Sequence, residues 1–201
     1  MTPAADDDDT SPPQRPTPRA VGIGLGLLAA GCLLVACFSH RWLANRYRGD
    51  LGYSPLSYQQ CNASCATWSN FQMFEIANHS EEPSDRMTRA FPIAGTTAFA
   101  ALLAASAGLI VAAAIALTNR RPALPVSPTT IALLGVMLGL VSGCVFVATK
   151  PGALGALALS WSFWVFGFGA VTGIAATHLL ARQIRPADPD LLHDAMNPDQ
   201  F

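Results

Sequence analysis

"TTIALLGVMLGLVSGCVFVAT", residues 129–149, contains no Asp, Glu, Lys, Arg or His. A helix needs about 20 predominantly apolar residues to cross the hydrocarbon core of a bilayer. This stretch supplies that length with no ionisable group for lipid to reject. Gly135, Gly139 and Gly143 fall every four residues, so they line one face of such a helix. Small residues at that spacing let two helices approach closely in lipid, where no hydrophobic effect drives them together. The stretch therefore reads as a transmembrane helix that needs partners.

The partners lie on either side, in the apolar runs Ala20–Phe38, Phe91–Thr118 and Gly152–Ala181. The chain has 201 residues, 51% of them apolar and 12% charged, against about 25% charged in a soluble domain. Nearly every charge sits between or outside the four runs. A soluble protein can bury one such helix, but four together predict an all-α integral membrane protein, a four-helix transmembrane bundle. We place the spans at 20–43, 91–118, 129–149 and 155–181, the first extended by the amphipathic "SHRWLA" after Phe38. The first span repeats the small-residue face with Gly22, Gly26 and Ala30, and the fourth with Gly169 and Gly173. Packing of the four helices on one another accounts for these faces, and self-association is the competing use of them. The fourth run has 30 residues, about 45 Å as a helix against a core of about 30 Å. Tryptophan favours the membrane–water boundary. Trp161 and Trp164 at the outer boundary would leave residues 152–160 projecting beside the long loop, and Trp42 is expected at the same interface.

The polar remainder divides into an amino tail (1–19) carrying "DDDD" and "SPPQRPTP", a loop (44–90) and a carboxyl tail (183–201). Both tails lack apolar periodicity and are expected to be disordered. Basic residues should mark the cytoplasmic side, but they divide evenly, six and six, between the two sides. The adjacent Arg120 and Arg121, Arg182 and Arg185 just after the last span, and a cysteine pair better suited to an oxidising compartment decide for cytoplasmic termini and an extracytoplasmic loop. The expected location is the inner or plasma membrane. Arg15 and Arg19 before the first run, and "LLVAC" ending at Cys37, also resemble a lipoprotein signal. Processing at Cys37 would leave three spans and is the competing expectation.

The loop contains "YQQCNASCATW", residues 58–68. Cys61 and Cys65 could be a metal pair, a redox pair or a disulfide. A metal site needs more ligands, and the nearest histidine is His79. A thioredoxin-like redox site has two residues between its cysteines, whereas three separate these. The spacing favours a structural disulfide stapling a small hairpin, a closure worth about 2 kcal/mol on chain-entropy grounds. Next, Trp68, Phe71 and Phe74 recur at three-residue spacing and suggest a short amphipathic helix. Its aromatics are candidate anchors for a partner, or for the protein's own bundle.

A short inner tail, a first span followed by a tryptophan ("HRWLAN" around Trp42), a large outer loop with a cysteine pair and three closely connected spans follow one another here. So does a fourth span reading "SWSFWVFGFGAVTGIAATHLLARQ", residues 160–183. This layout resembles the superfamily of claudins, peripheral myelin protein and calcium-channel gamma subunits, which implies a non-enzymatic tetraspan protein with an outer sheet. Three features depart from that pattern. The family's Gly-Leu-Trp before the first cysteine is replaced by "PLSYQQC", the cysteines are closer together, and the connection after the third span is reduced to "KPG" or little more. That connection is therefore not expected to supply the strand that completes the family's sheet.

No catalytic constellation, metal-ligand spacing or cofactor motif is visible, and His40, His79, His178 and His193 are scattered. Net charge of −1 suggests no nucleic-acid partner. The expected partners are membrane lipid and a protein, either a second copy or another chain. The function read here is interaction through the outer loop, with an accessory subunit contributing packing helices as the alternative.

Overall fold

The computed structural model describes residues 18–45, 51–79, 86–118, 126–151 and 157–183. The tails expected to be disordered lie outside these apart from Pro18, Arg19 and Gln183, as do Arg120, Arg121 and Arg185. The elements in chain order are α1 (Pro18–Phe38), β1 (Leu43–Asn45), β2 (Leu51–Tyr53), β3 (Ser57–Cys61), β4 (Cys65–Ser69), α2 (Asn70–Asn78), α3 (Ala90–Thr118), α4 (Pro128–Ala148), β5 (Leu157–Leu159) and α5 (Trp161–Gln183). Four helices, α1, α3, α4 and α5, are long and apolar enough to cross a membrane, and the chain is an integral membrane protein. Large apolar side chains on their outer surfaces, among them Leu28, Val35, Leu134, Val141 and Val171, are exposed, as a lipid-facing surface requires.

In lipid, helices are held by close packing and not by apolar burial, and the four spans meet on their smallest residues. α3 packs most extensively on α4 and α1 on α5; α1 also packs on α3, while α4 and α5 meet more thinly. At the α3–α4 seam the backbones nearly touch. A Cβ on Gly135 would lie 2.8 Å from the Ala101 carbonyl oxygen and the Ala105 nitrogen, and one on Gly108 would lie 2.8 Å from the Pro128 carbonyl and the Ala132 nitrogen. Gly139 faces Leu102, and Gly143 faces Phe166 and Trp42. Gly169 faces Cys32 and Leu33 of α1, and Gly173 faces Val136 of α4. The small faces thus serve the bundle itself. Hydroxyls inside the spans turn back on their own helices: Ser106 donates to the Leu102 carbonyl (2.8 Å), Thr172 to Phe168 (2.8 Å) and Ser142 to Leu138, which leaves fewer bare polar groups in the apolar layer. Arg19 reaches from α1 to the end of α3, its Nε 2.8 Å from the Ala116 carbonyl, and covers acceptors that a helix terminus leaves open.

The expectation of an all-α chain is corrected by a five-stranded antiparallel sheet in the order β4-β3-β2-β1-β5. Four strands come from the loop after α1. The fifth comes from the segment before α5, where Leu43, Ala44 and Asn45 pair with Leu159, Ala158 and Leu157. The expectation that the third connection supplies no strand is therefore overturned. Two span limits move for the same reason. α1 stops at Phe38, because residues 43–45 are drawn into the sheet. The last helix begins at Trp161 and not at 155, because residues 157–159 are extended. What looked like surplus helix length is a strand.

Gly135→Leu should force the α3 and α4 backbones apart and lower the thermal midpoint in detergent, by overpacking of about 1–3 kcal/mol or more. At Gly31 a Cβ would meet nothing within 4 Å, so Gly31→Leu should leave the midpoint unchanged or raise it. Equal melting of the two variants would place the α4 glycine face on lipid.

Candidate functional site

The sheet is joined to the bundle by an unbroken series of aromatic contacts. Trp68 stacks on Tyr58 (ring centroids 5.7 Å apart), Tyr58 meets Tyr53 (4.7 Å), and Tyr53 meets the edge of Phe91 (5.5 Å). Phe91 stacks on Phe146 at 4.3 Å, and Phe146 meets Trp42 at 6.0 Å. Trp42 stacks on Phe166 at 4.9 Å and meets Phe163 at 5.7 Å. Offset and edge-to-face pairs of this kind add to the area they bury.

Trp42 is 0% exposed, so it sits inside the protein and not among lipid headgroups. Its indole Nε1–H donates to the Ala36 carbonyl at 2.7 Å, filling an acceptor left open in the last turn of α1. Its backbone N–H donates to the Tyr53 carbonyl (2.8 Å), and its carbonyl accepts from the Ser160 N–H (2.9 Å). One residue therefore ties α1, β2 and the start of α5 together. The Ser162 hydroxyl adds a bond to the Arg41 carbonyl. Trp161 and Trp164, in contrast, are 54% and 66% exposed, at the sheet end of α5.

Cys61 and Cys65 face each other in the β3–β4 register and are joined by a disulfide. They close the hairpin around Asn62, Ala63 and Ser64. Cys37 is buried, and its thiol lies 3.7 Å from the Phe99 carbonyl.

The three aromatics of the loop do not share a helix face. Trp68 belongs to β4, and the helix starts after it. The reason is a capping box: the Ser69 hydroxyl accepts from the Gln72 N–H (3.1 Å), and the Gln72 side chain accepts from the Ser69 N–H (2.9 Å). The pattern Ser-x-x-Gln at 69–72 is legible in the sequence and fixes the boundary. Met73, Phe74 and Ala77 of α2 turn toward the core, whereas Phe71 and Ile76 are 46% and 56% exposed. Ile76, not Phe74, is thus the second open apolar side chain. Asn70 holds α2 in place. It is buried, and its amide donates to the carbonyls of Ser54 (3.0 Å) and Pro55 (2.9 Å). The same Pro55 carbonyl lies against Gly95 of α3, 2.1 Å from where a Cβ would stand. Only glycine lets the loop rest on the helix there.

Among the described residues, no group of three His, Cys, Asp or Glu side chains converges. The Tyr53 hydroxyl is buried without a hydrogen-bond partner among the described residues. Burial, with the neighbouring Tyr58 second, pushes its ionisation above the ordinary tyrosine range. No family model and no curated protein matches the chain.

Tyr53→Phe removes a buried, unpaired hydroxyl and keeps the ring contacts, so the thermal midpoint at pH 7 should hold or rise. The sign of the alkaline effect follows from linkage. The unfolded tyrosine ionises near pH 10 while the folded one stays neutral, so its contribution is intact below about pH 10 and is lost progressively above it. Melting curves in that range should fall less steeply for Tyr53→Phe than for the parent protein. A lower midpoint for the variant at pH 7 would show that the hydroxyl has a partner.

Proposed function

We propose that this chain is a non-enzymatic tetraspan membrane protein whose sheet end faces out of the cytoplasm and recognises a protein or a neighbouring surface. The observation that carries the reading is α2. It is a capped helix outside the spans, held by Asn70 on the Ser54–Pro55 turn and by Phe74 on the core, that leaves Phe71 and Ile76 open. Aromatic and large apolar side chains on a rigid support are the usual anchors of protein interfaces. The claudin-like resemblance supports the reading in turn. An outer sheet completed by a strand from the connection after the third span is what that resemblance implies, and the β1–β5 pairing supplies such a strand. The burial of α1 supports four spans over processing at Cys37. Ala29, Leu33 and Ala36 are 0% exposed, and cleavage would take them out of the core.

Phe71→Ser with Ile76→Ser should abolish retention of a co-purifying protein in mild detergent, leaving stability within about 0.5 kcal/mol of the parent, as for ordinary surface changes. Retention of the partner by the double variant would move recognition from the loop to the helices, the accessory-subunit reading. Orientation has a separate test. In a Cys144→Ala background, an impermeant maleimide added to intact cells should label Cys61 and Cys65 only after a reductant. Labelling that requires permeabilisation would invert the topology.

A further inference from the structure

The thin contact between α4 and α5 opens, at the end of the bundle away from the sheet, into a groove of about 330 Å³. Its lining is sorted along its length. Thr129, Thr130, His178 and Ala181 stand at the terminal end, and Leu133, Leu134 and Ile174 lie about one helical turn further in. Arg182 follows His178 by four residues and so shares its helix face. The Thr130, His178 and Arg182 side chains are exposed.

We propose that this groove is a site for an anionic phospholipid of the leaflet opposite the sheet. The acyl chain lies along Leu133, Leu134 and Ile174. The headgroup phosphate is held by the Arg182 guanidinium and by donors from Thr130 and His178. The apolar floor alone would accept any lipid tail, and the Arg182 cation, one turn beyond His178, makes the selection. A basic side chain near an anionic headgroup contributes enough to give about fivefold enrichment over a zwitterionic lipid. The site is independent of the α2 surface and of any partner it binds.

The test is native mass spectrometry of the full chain released from nanodiscs of equal parts phosphatidylglycerol and phosphatidylcholine. The parent protein should carry phosphatidylglycerol in about fivefold excess. His178→Ala with Arg182→Gln should bring the ratio close to one, and Arg182→Lys should keep most of the preference. Ala181→Phe, which fills the groove from a small exposed position, should lower retention of both lipids. The positions changed here lie at the exposed end of α5, and a parent-like melting curve for each variant confirms that the bundle is intact. Equal retention of the two lipids by the parent, or a preference that survives both the charge and the filling variants, would overturn the proposal. So would displacement of the lipid by millimolar inorganic phosphate, which would make this a free-anion site. Conversion of a dimer to a monomer by Ala181→Phe would also overturn it, since a second copy would then occupy the groove.

Discussion

The arrangement depends on how Trp42 is held. A tryptophan four residues beyond a transmembrane helix ordinarily floats at the lipid boundary, ring in the interface and N–H in water. Here the chain folds back, so that the indole N–H closes the last turn of α1 on the Ala36 carbonyl and the ring fills the space among Phe146, Phe163 and Phe166. Gly143 of α4 borders the same cluster: a Cβ there would press on Phe166 at 3.1 Å and make ordinary contact with Trp42 at 3.5 Å. Once the ring is seated, its own backbone N–H and carbonyl point at Tyr53 and Ser160, and strands from two distant connections are brought side by side.

The spans were legible because lipid imposes a strong and simple rule. Every polar backbone group must be paired within the segment, so a span has to be a long apolar helix, and composition alone reveals it. The faces of Gly135, Gly139, Gly143, Gly169 and Gly173 were legible for a related reason, since close approach leaves few residue choices. Beyond the hairpin closed by Cys61 and Cys65, the sheet was not legible. Leu43–Asn45, Leu51–Tyr53 and Leu157–Leu159 are three residues long, too short for alternation to be counted. β5 is also as apolar as the helix it precedes. Its pairing with β1 depends on how the helices pack, which no local pattern encodes. Trp42 was misplaced because the general preference of tryptophan for the interface outweighed the one clue to the contrary, an aromatic cluster spaced along two spans.

The candidate surface was legible only in part. Three-residue spacing of Trp68, Phe71 and Phe74 suggested one helical face, and the capping box at Ser69 divides it. Trp68 becomes a cross-strand partner of Tyr58, Phe74 becomes core, and Phe71 is left open beside Ile76. The disulfide followed from loop size and from the lack of further ligands. The α4–α5 groove had no signature at all, because it arises where two helices meet only thinly.

The β1–β5 pairing also orders the birth of the protein. Strand β1 leaves the ribosome just after the first helix, but its partner emerges only as the last helix is about to be inserted. Until then one edge of the nascent sheet has open N–H and C=O groups, the condition that invites pairing with the wrong chain. Ser160 and Ser162, which bond the Trp42 and Arg41 carbonyls, belong to the same late segment. A chain truncated before Leu157 would therefore leave the outer edge of β1 without its partner strand.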